Sequence, residues 1–102
     1  MAKKHRLPRA SEVPALAAFA RGYLHQDVIV EYGSAAGAAT AFAEDASDEE
    51  RRALIADLER LVHALDGKPA AQLARYFTEE LRAAWAPASP ADLRSLIAAL
   101  AA

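Results

Sequence analysis

The sequence predicts a single all-α domain of about five helices, and two observations support this fold class. Hydrophobic residues make up 54% of the 102-residue chain, but 28 of them are alanines, which suit closely packed helices better than a voluminous core. The larger apolar residues recur at spacings of three and four along most of the chain, which is the period of an amphipathic helix. We assign the helical domain to residues 13–102 and predict a basic, disordered arm at residues 1–12.

The first helix is predicted at residues 14–24. Ser11 is the expected start signal, and Pro14 suits the first turn because an N–H there would have no helical partner. Gly22 costs the helix about 1 kcal/mol relative to alanine, which predicts a close crossing with another helix. The predicted apolar stripe consists of Leu16, Phe19, Ala20, Tyr23 and Leu24.

A short apolar segment and a thin helix follow. The β-branched residues at 28–30 predict an extended or helix-continuing connector against the core. Ser34 is the predicted N-cap of the second helix, at residues 35–44. That helix is mostly alanine, with Phe42 as its one large residue, so neighbouring helices can approach it closely.

The third helix has the strongest local signal. Ser47 followed three residues later by Glu50 is a capping box, and Gly67 is a suitable C-terminal stop. The apolar stripe between them is regular and consists of Leu54, Ile55, Leu58, Leu61, Val62 and Leu65. The opposite, outward face is predicted to carry Arg51, Arg52, Asp57, Glu59 and Arg60.

Two further helices complete the predicted domain. The fourth spans residues 69–85 and is ended by Pro87 and Pro90. The fifth begins with Ser89 as N-cap, Pro90 at the first helical position and Asp92 in the first turn. The residues expected to face inward are Leu73, Tyr76, Phe77, Leu81, Ala84 and Trp85 in the fourth helix and Leu93, Leu96, Ile97 and Leu100 in the fifth.

The sequence has no motif typical of an enzyme or a cofactor-binding protein. The four glycines are scattered, which argues against a phosphate-binding loop, and the lack of cysteine excludes thiolate ligands and nucleophiles. His25, Asp27 and Glu31 are suitable metal ligands, but their spacing matches no strong signature. The alternative is that Asp27 caps a turn and His25 bonds locally. We predict no catalytic residue, no cofactor and no metal.

No apolar run reaches the 18 or so residues that a membrane span needs, and no apolar stretch typical of a secretory signal follows the basic start. A cytoplasmic protein is therefore expected. The net charge is −2, from 12 basic and 14 acidic residues, and four of the basic residues lie within the first nine positions. The folded body is therefore acidic, which argues against nucleic-acid binding.

The segment at the end of the first helix consists of Tyr23, Leu24, His25, Gln26 and Asp27. This motif resembles one in the immunity proteins of bacterial contact-dependent growth inhibition systems, the CdiI type. The resemblance continues through Glu31-Tyr32-Gly33-Ser34, the alanine-rich helix and the acidic, serine-capped helix, and covers residues 16–65 in order and spacing. The chain departs from the family at Leu24, where phenylalanine is usual, and at Val28, where tryptophan is usual.

The resemblance implies an antidote that binds and blocks the toxic C-terminal domain of a large delivered protein, commonly a nuclease. Such a protein needs no chemistry of its own, and an acidic inhibitor would be steered towards the cationic surface of a nuclease. The predicted toxin-facing residues are Asp27, Glu31, Tyr32, Glu44, Asp45, Asp48 and Glu49, with Glu50 in the same acidic run. The alternatives are that this run is an ordinary solvated helix start and that residues 25–27 form a structural turn.

Two other classes of protein remain open at this point. A small helical adaptor that binds a different protein would share the acidic surface, and a neighbouring toxin gene would discriminate against it. A DNA-binding regulator with a basic arm would need a basic recognition helix. The third helix has Arg51, Arg52 and Arg60, but the five acidic residues from Asp48 to Glu59 would be repelled by phosphate.

Overall fold

The computed structural model describes residues 7–25, 31–65 and 68–101. These residues form helices and no β-strand, so the predicted all-α class is confirmed. A 3-10 turn at Ala10–Glu12 precedes the helices, and a π-helical turn at Tyr76–Glu80 extends the fourth one. The helices are α1 (Pro14–Tyr23), α2 (Ala35–Asp45), α3 (Asp48–Ala64), α4 (Ala70–Arg75) and α5 (Pro90–Ala101).

The helices pack around one apolar core. α5 lies against α2 and α3, and α1 packs against α3 and α2. The alanine-rich face of α2 permits its contact with α5, because Ala38 and Ala39 are fully buried and add little volume. The predicted stripe of α3 is confirmed, with Ile55 and Val62 at its half-buried margins. The largest fully buried side chains are Phe19, Phe77, Leu16, Leu24, Leu54, Leu58, Leu61, Leu73, Leu93, Leu96, Leu100 and Val13.

Two predicted N-caps are confirmed by hydrogen bonds from backbone N–H groups, and the predicted start of α5 at Pro90 is confirmed by its position. The Gly37 N–H donates to Ser34 Oγ at 3.0 Å, which caps α2. The Glu50 N–H donates to Ser47 Oγ at 3.1 Å, and the Ser47 N–H donates back to Glu50 Oε1 at 2.8 Å, which completes the capping box of α3. Asp92 lies in the first turn of α5, where its carboxylate accepts the Ala88 N–H. The predicted connector at 28–30 and the stop at 67 lie outside the described residues.

The start of α1 differs from the prediction. Pro14 occupies the first turn as expected, but Val13 is the N-cap and no side chain of the neighbouring segment caps the helix. Asp57 of α3 takes this role instead, because its Oδ2 accepts the Leu16 N–H at 3.1 Å. The assignment of Asp57 to an outward face of α3 was therefore wrong. The capping carboxylate comes from a helix distant in sequence, which a local pattern does not reveal.

We expect the replacement of Asp57 by alanine to lower the free energy of unfolding by about 1 kcal/mol, because it leaves a helix N–H without its acceptor. The matched control is Glu59→Ala on the same helix, which removes an exposed carboxylate and should change stability by less than about 0.5 kcal/mol. Urea unfolding of both variants measures the difference. Equal losses in the two variants would show that Asp57 does not stabilise α1.

The described part of the predicted arm, residues 7–12, packs on the helical body. Leu7 and Ala10 contact the core, and the Ala10 N–H donates to Glu80 Oε2 at 2.7 Å. The Glu12 carbonyl oxygen accepts a hydrogen bond from the Arg60 guanidinium at 3.1 Å. The folded body therefore includes residues 7–12, earlier than the predicted boundary, while the arm prediction for residues 1–6 lies outside the described residues.

The fourth helix ends earlier than predicted. A helix to residue 85 was expected, but the helical turns stop at Glu80. The Leu81 N–H donates to the Tyr76 carbonyl oxygen at 3.1 Å, which widens the last turn. Arg82 then adopts a left-handed conformation with φ of 57°, which ends the helix. The prolines used for the prediction act several residues further along, so they are not the cause of the stop.

The segment after Arg82 crosses back to the end of α1. The Ala84 N–H donates to the Leu24 carbonyl oxygen at 2.8 Å. Ala84 is exposed, against the prediction, whereas Trp85 is half-buried with its ring edge-on to Phe77 at a centroid distance of 5.6 Å. This crossing places Arg82 beside the last turn of α1.

Of the two helical glycines, Gly37 and not Gly22 lies where another part of the backbone comes close. Gly22 is exposed, and no atom of the described residues lies within 4 Å of a Cβ added there, so none of the described helices makes the predicted close crossing. At Gly37 a Cβ would collide with the carbonyl oxygen of Tyr32. Glycine at position 37 therefore lets the first turn of α2 lie close to the backbone of the residues that precede it.

Candidate functional site

A row of aromatic rings joins the end of α1 to α2. Phe19 and Tyr23 stack with centroids 5.4 Å apart, and Phe42 meets both rings edge-on at 5.5 Å. Tyr32 extends the row, with its ring 5.7 Å from that of Tyr23. Only Phe19 of this row is fully buried, so the rings lead from the core to the surface. They hold the segment before α2 against α1.

His25 and Glu31 lie at the surface end of this row. The imidazole Nε2 is 3.0 Å from Glu31 Oε1, with the two side chains 33% and 52% exposed. The His25 ring also lies 6.4 Å from that of Tyr32. An exposed pair of this kind contributes little stability, and its main effect is to orient the two side chains.

The surroundings of Tyr32 change the pKa of its hydroxyl. Partial burial raises the pKa of this hydroxyl above its ordinary value, and the nearby charges of Glu31 and Asp45 raise it further. Tyr32 therefore stays protonated as a hydrogen-bond donor at neutral pH. Glu31 and Tyr32, two of the predicted site residues, thus lie together with His25 at the end of the aromatic row.

The remaining acidic residues of the predicted site follow along the turn between α2 and α3. Glu44 and Asp45 end α2, and Asp48 and Glu49 form the first turn of α3, where carboxylates interact favourably with the helix dipole. All four are exposed. Asp48 also pairs with Arg51, and Glu50 is occupied in the capping box. We call Glu31, Tyr32, Glu44, Asp45, Asp48 and Glu49 the acidic edge.

The structure describes residues 23–25 of the sequence motif at 23–27, and two of these three pack into the fold. Tyr23 is half-buried in the aromatic row, and Leu24 is fully buried with its carbonyl oxygen bonded to the Ala84 N–H. Only His25 of the three described motif residues contributes to the surface beside the acidic edge. Gln26 and the predicted contact residue Asp27 lie outside the described residues.

Sequence analysis missed a basic groove on the other side of His25. The groove is open, has a volume of about 570 Å³, and is lined by Ala20, Arg21, His25, Arg82 and Ala84. No local sequence signal marks it, because it forms only where the chain after the π-helical turn crosses the end of α1.

Within the described part of the chain, no group of three or more His, Cys, Asp or Glu side chains is placed to hold a metal ion. No helix in that part is long and apolar enough to span a bilayer. The charged features of the described surface are the acidic edge and the adjoining basic groove. The fold and these features define the class as a small all-α protein with a charged surface.

The chain belongs to the CdiI immunity protein family, whose model matches residues 12–101. This confirms the resemblance inferred from the residues around His25, and the match extends well beyond the 16–65 region that carried it. None of the curated proteins matches the chain in sequence.

The fold is similar to that of a chain in the crystal structure of a CdiA-CT/CdiI complex from Y. kristensenii 33638. The TM-score is 0.76, and the alignment covers 91% of this chain and 97% of that one. Because the two sequences are only 20% identical, the likeness establishes the shared fold and not shared contact residues.

Proposed function

We propose that this protein binds the toxic C-terminal domain of its cognate contact-dependent growth inhibition protein and neutralises it by protein–protein inhibition. The family match over residues 12–101 is the observation that carries the proposal. The similarity to a chain of a CdiA-CT/CdiI complex supports the same kind of partner. In this function the protein forms a complex and performs no reaction of its own.

The acidic edge is the proposed toxin-facing surface, together with Asp27 from the sequence motif. Its carboxylates are exposed, and Tyr32 adds an amphipathic ring with a protonated hydroxyl next to them. A surface of this kind attracts a cationic partner over a distance and then provides an aromatic contact. The α2–α3 turn and the aromatic row hold these residues on helix ends rather than on a long loop, so little conformational entropy is lost on binding.

The charge of the acidic edge favours a nuclease as the toxin. A nuclease binds an anionic substrate with a positively charged surface, and an acidic inhibitor competes for that surface. We propose that neutralisation takes place in the cytoplasm, where a nuclease toxin would meet its substrate. An acidic inhibitor of this design would block substrate access without contacting the reacting atoms.

Isothermal titration calorimetry tests the proposal directly, with the toxin C-terminal domain encoded beside this gene as the titrant. We expect one-to-one binding at nanomolar affinity and loss of toxin activity at equimolar ratio. A toxin domain from a different contact-dependent system is the control and should not bind. The absence of binding to the cognate domain at micromolar concentrations would contradict the proposed function.

A further inference from the structure

The basic groove is lined by two arginines and a histidine from two distant segments of the chain. Arg21 lies in the last turns of α1, His25 follows that helix, and Arg82 lies after the π-helical turn. Alanines line the same groove, so it is open to a side chain from outside. The Ala84 N–H bond to the Leu24 carbonyl oxygen holds its two walls together.

The two arginine side chains of this groove form no ion pair within the ranges that the structure describes. Arg21 and Arg82 are both exposed, and neither forms an ion pair with a residue in the described ranges. Arginine has a planar, forked guanidinium that binds a carboxylate through two hydrogen bonds. Two such groups facing one groove are suited to an anionic side chain.

The backbone at Arg82 is strained. Its φ of 57° is in the left-handed region, which glycine adopts without steric strain and a bulkier residue does not. Within the described ranges, the Arg82 side chain forms no hydrogen bond with the helix end that would offset this strain. Such strain is often found where a side chain has a binding role.

The groove also borders the acidic edge, because His25 lines the groove and pairs with Glu31. The two charged features therefore form one continuous surface with opposite signs. A partner that matches this surface needs a cationic patch with an acidic group next to it. A uniformly cationic partner would be repelled by the arginines.

We infer that the groove receives an acidic side chain of the toxin domain, an aspartate or glutamate held between Arg21 and Arg82, and this inference rests on the proposed function. The acidic edge then accelerates association, whereas the buried carboxylate–arginine contact slows dissociation. This pairing of opposite charges also selects the cognate toxin, because a toxin without the acidic group leaves two arginines desolvated and unpaired.

The test is binding of the cognate toxin domain to Arg82→Gly and Arg21→Gln variants by surface plasmon resonance. Arg82→Gly removes the guanidinium and relieves the left-handed strain, so its melting temperature should be unchanged or higher. We expect its dissociation rate to rise about tenfold or more, with little change in association rate. Arg94→Gln, an exposed arginine on α5, is the matched control and should behave as the wild-type protein.

The outcomes are distinguishable. Tight wild-type binding with unchanged dissociation from both variants would overturn the groove inference and leave the proposed function intact. No binding by the wild-type protein would overturn both. The third outcome is that a short RNA oligonucleotide binds the wild-type protein in the absence of toxin and does not bind Arg82→Gly. This would overturn the inference, because the groove would then bind phosphate rather than a toxin carboxylate.

Discussion

Replacement of Leu58 by alanine is expected to lower the free energy of unfolding by about 2–5 kcal/mol. Leu58 is fully buried at the centre of the α3 stripe, and α3 packs against both α1 and α5. The substitution removes apolar surface from the core and leaves a cavity that the surrounding helices fill only in part. Denaturant unfolding followed by circular dichroism measures the loss.

The matched control for Leu58→Ala is Val62→Ala on the same helix. Val62 is half-buried at the margin of the α3 stripe, so its truncation removes less buried surface and leaves an open site. We expect a loss clearly smaller than that for Leu58→Ala. A change of only a few tenths of a kcal/mol at Leu58 would contradict the central place of α3 in the core.

The second large effect is expected from reversing the charge of three residues of the acidic edge, Asp45, Asp48 and Glu49, to lysine. We expect the association rate with the cognate toxin domain to fall about 10- to 100-fold at low ionic strength, because electrostatic steering is lost. The difference should shrink as salt is added, because screening removes the same steering from the wild-type protein. Stopped-flow association at several salt concentrations measures both effects.

The triple variant needs a stability control because Asp48 lies in the first turn of α3. Reversal there loses a favourable interaction with the helix dipole of about 0.3–1 kcal/mol, which the melting temperature reports. Reversal of Glu59 and Glu79, exposed acids outside the acidic edge, should slow association less per charge. An association rate that the triple reversal leaves unchanged at low salt would remove the acidic edge from the toxin interface.

Features decided by neighbouring residues were predictable from the sequence. The capping box at Ser47, the cap at Ser34 and the proline at the start of α1 depend on contacts within one helical turn, and the structure shows all three. The buried stripe of α3 follows from the helical period alone. The family resemblance was also readable, because the segment around His25 is continuous in sequence.

Features decided by contacts between distant segments were not predictable. Asp57 appeared to face outward because its position is polar, yet it caps a helix 41 positions earlier in the chain. The fourth helix was extended to the nearest prolines, but a wide turn and the left-handed Arg82 end it first. Asp57 lies within α3, so its position does not indicate a cap for α1, and arginine is not typical of a left-handed helix end.

The features of the candidate site also fall into local ones and ones that depend on distant segments. The acidic run at the α2–α3 turn and the motif at the end of α1 are local and were found from the sequence. The pairing of His25 with Glu31, the contact between the Tyr23 and Tyr32 rings and the basic groove depend on how distant segments of the chain pack together.

The sequence by itself therefore determined the all-α class, the helix starts, the acidic body and the family. Tertiary structure alone decided that Asp57 caps α1, where the fourth helix ends and where the basic groove meets the acidic edge. The physical reason is the separation along the chain over which each interaction acts. Helical periodicity and capping act within a turn, whereas burial and charge proximity depend on contacts that form only when distant segments pack together.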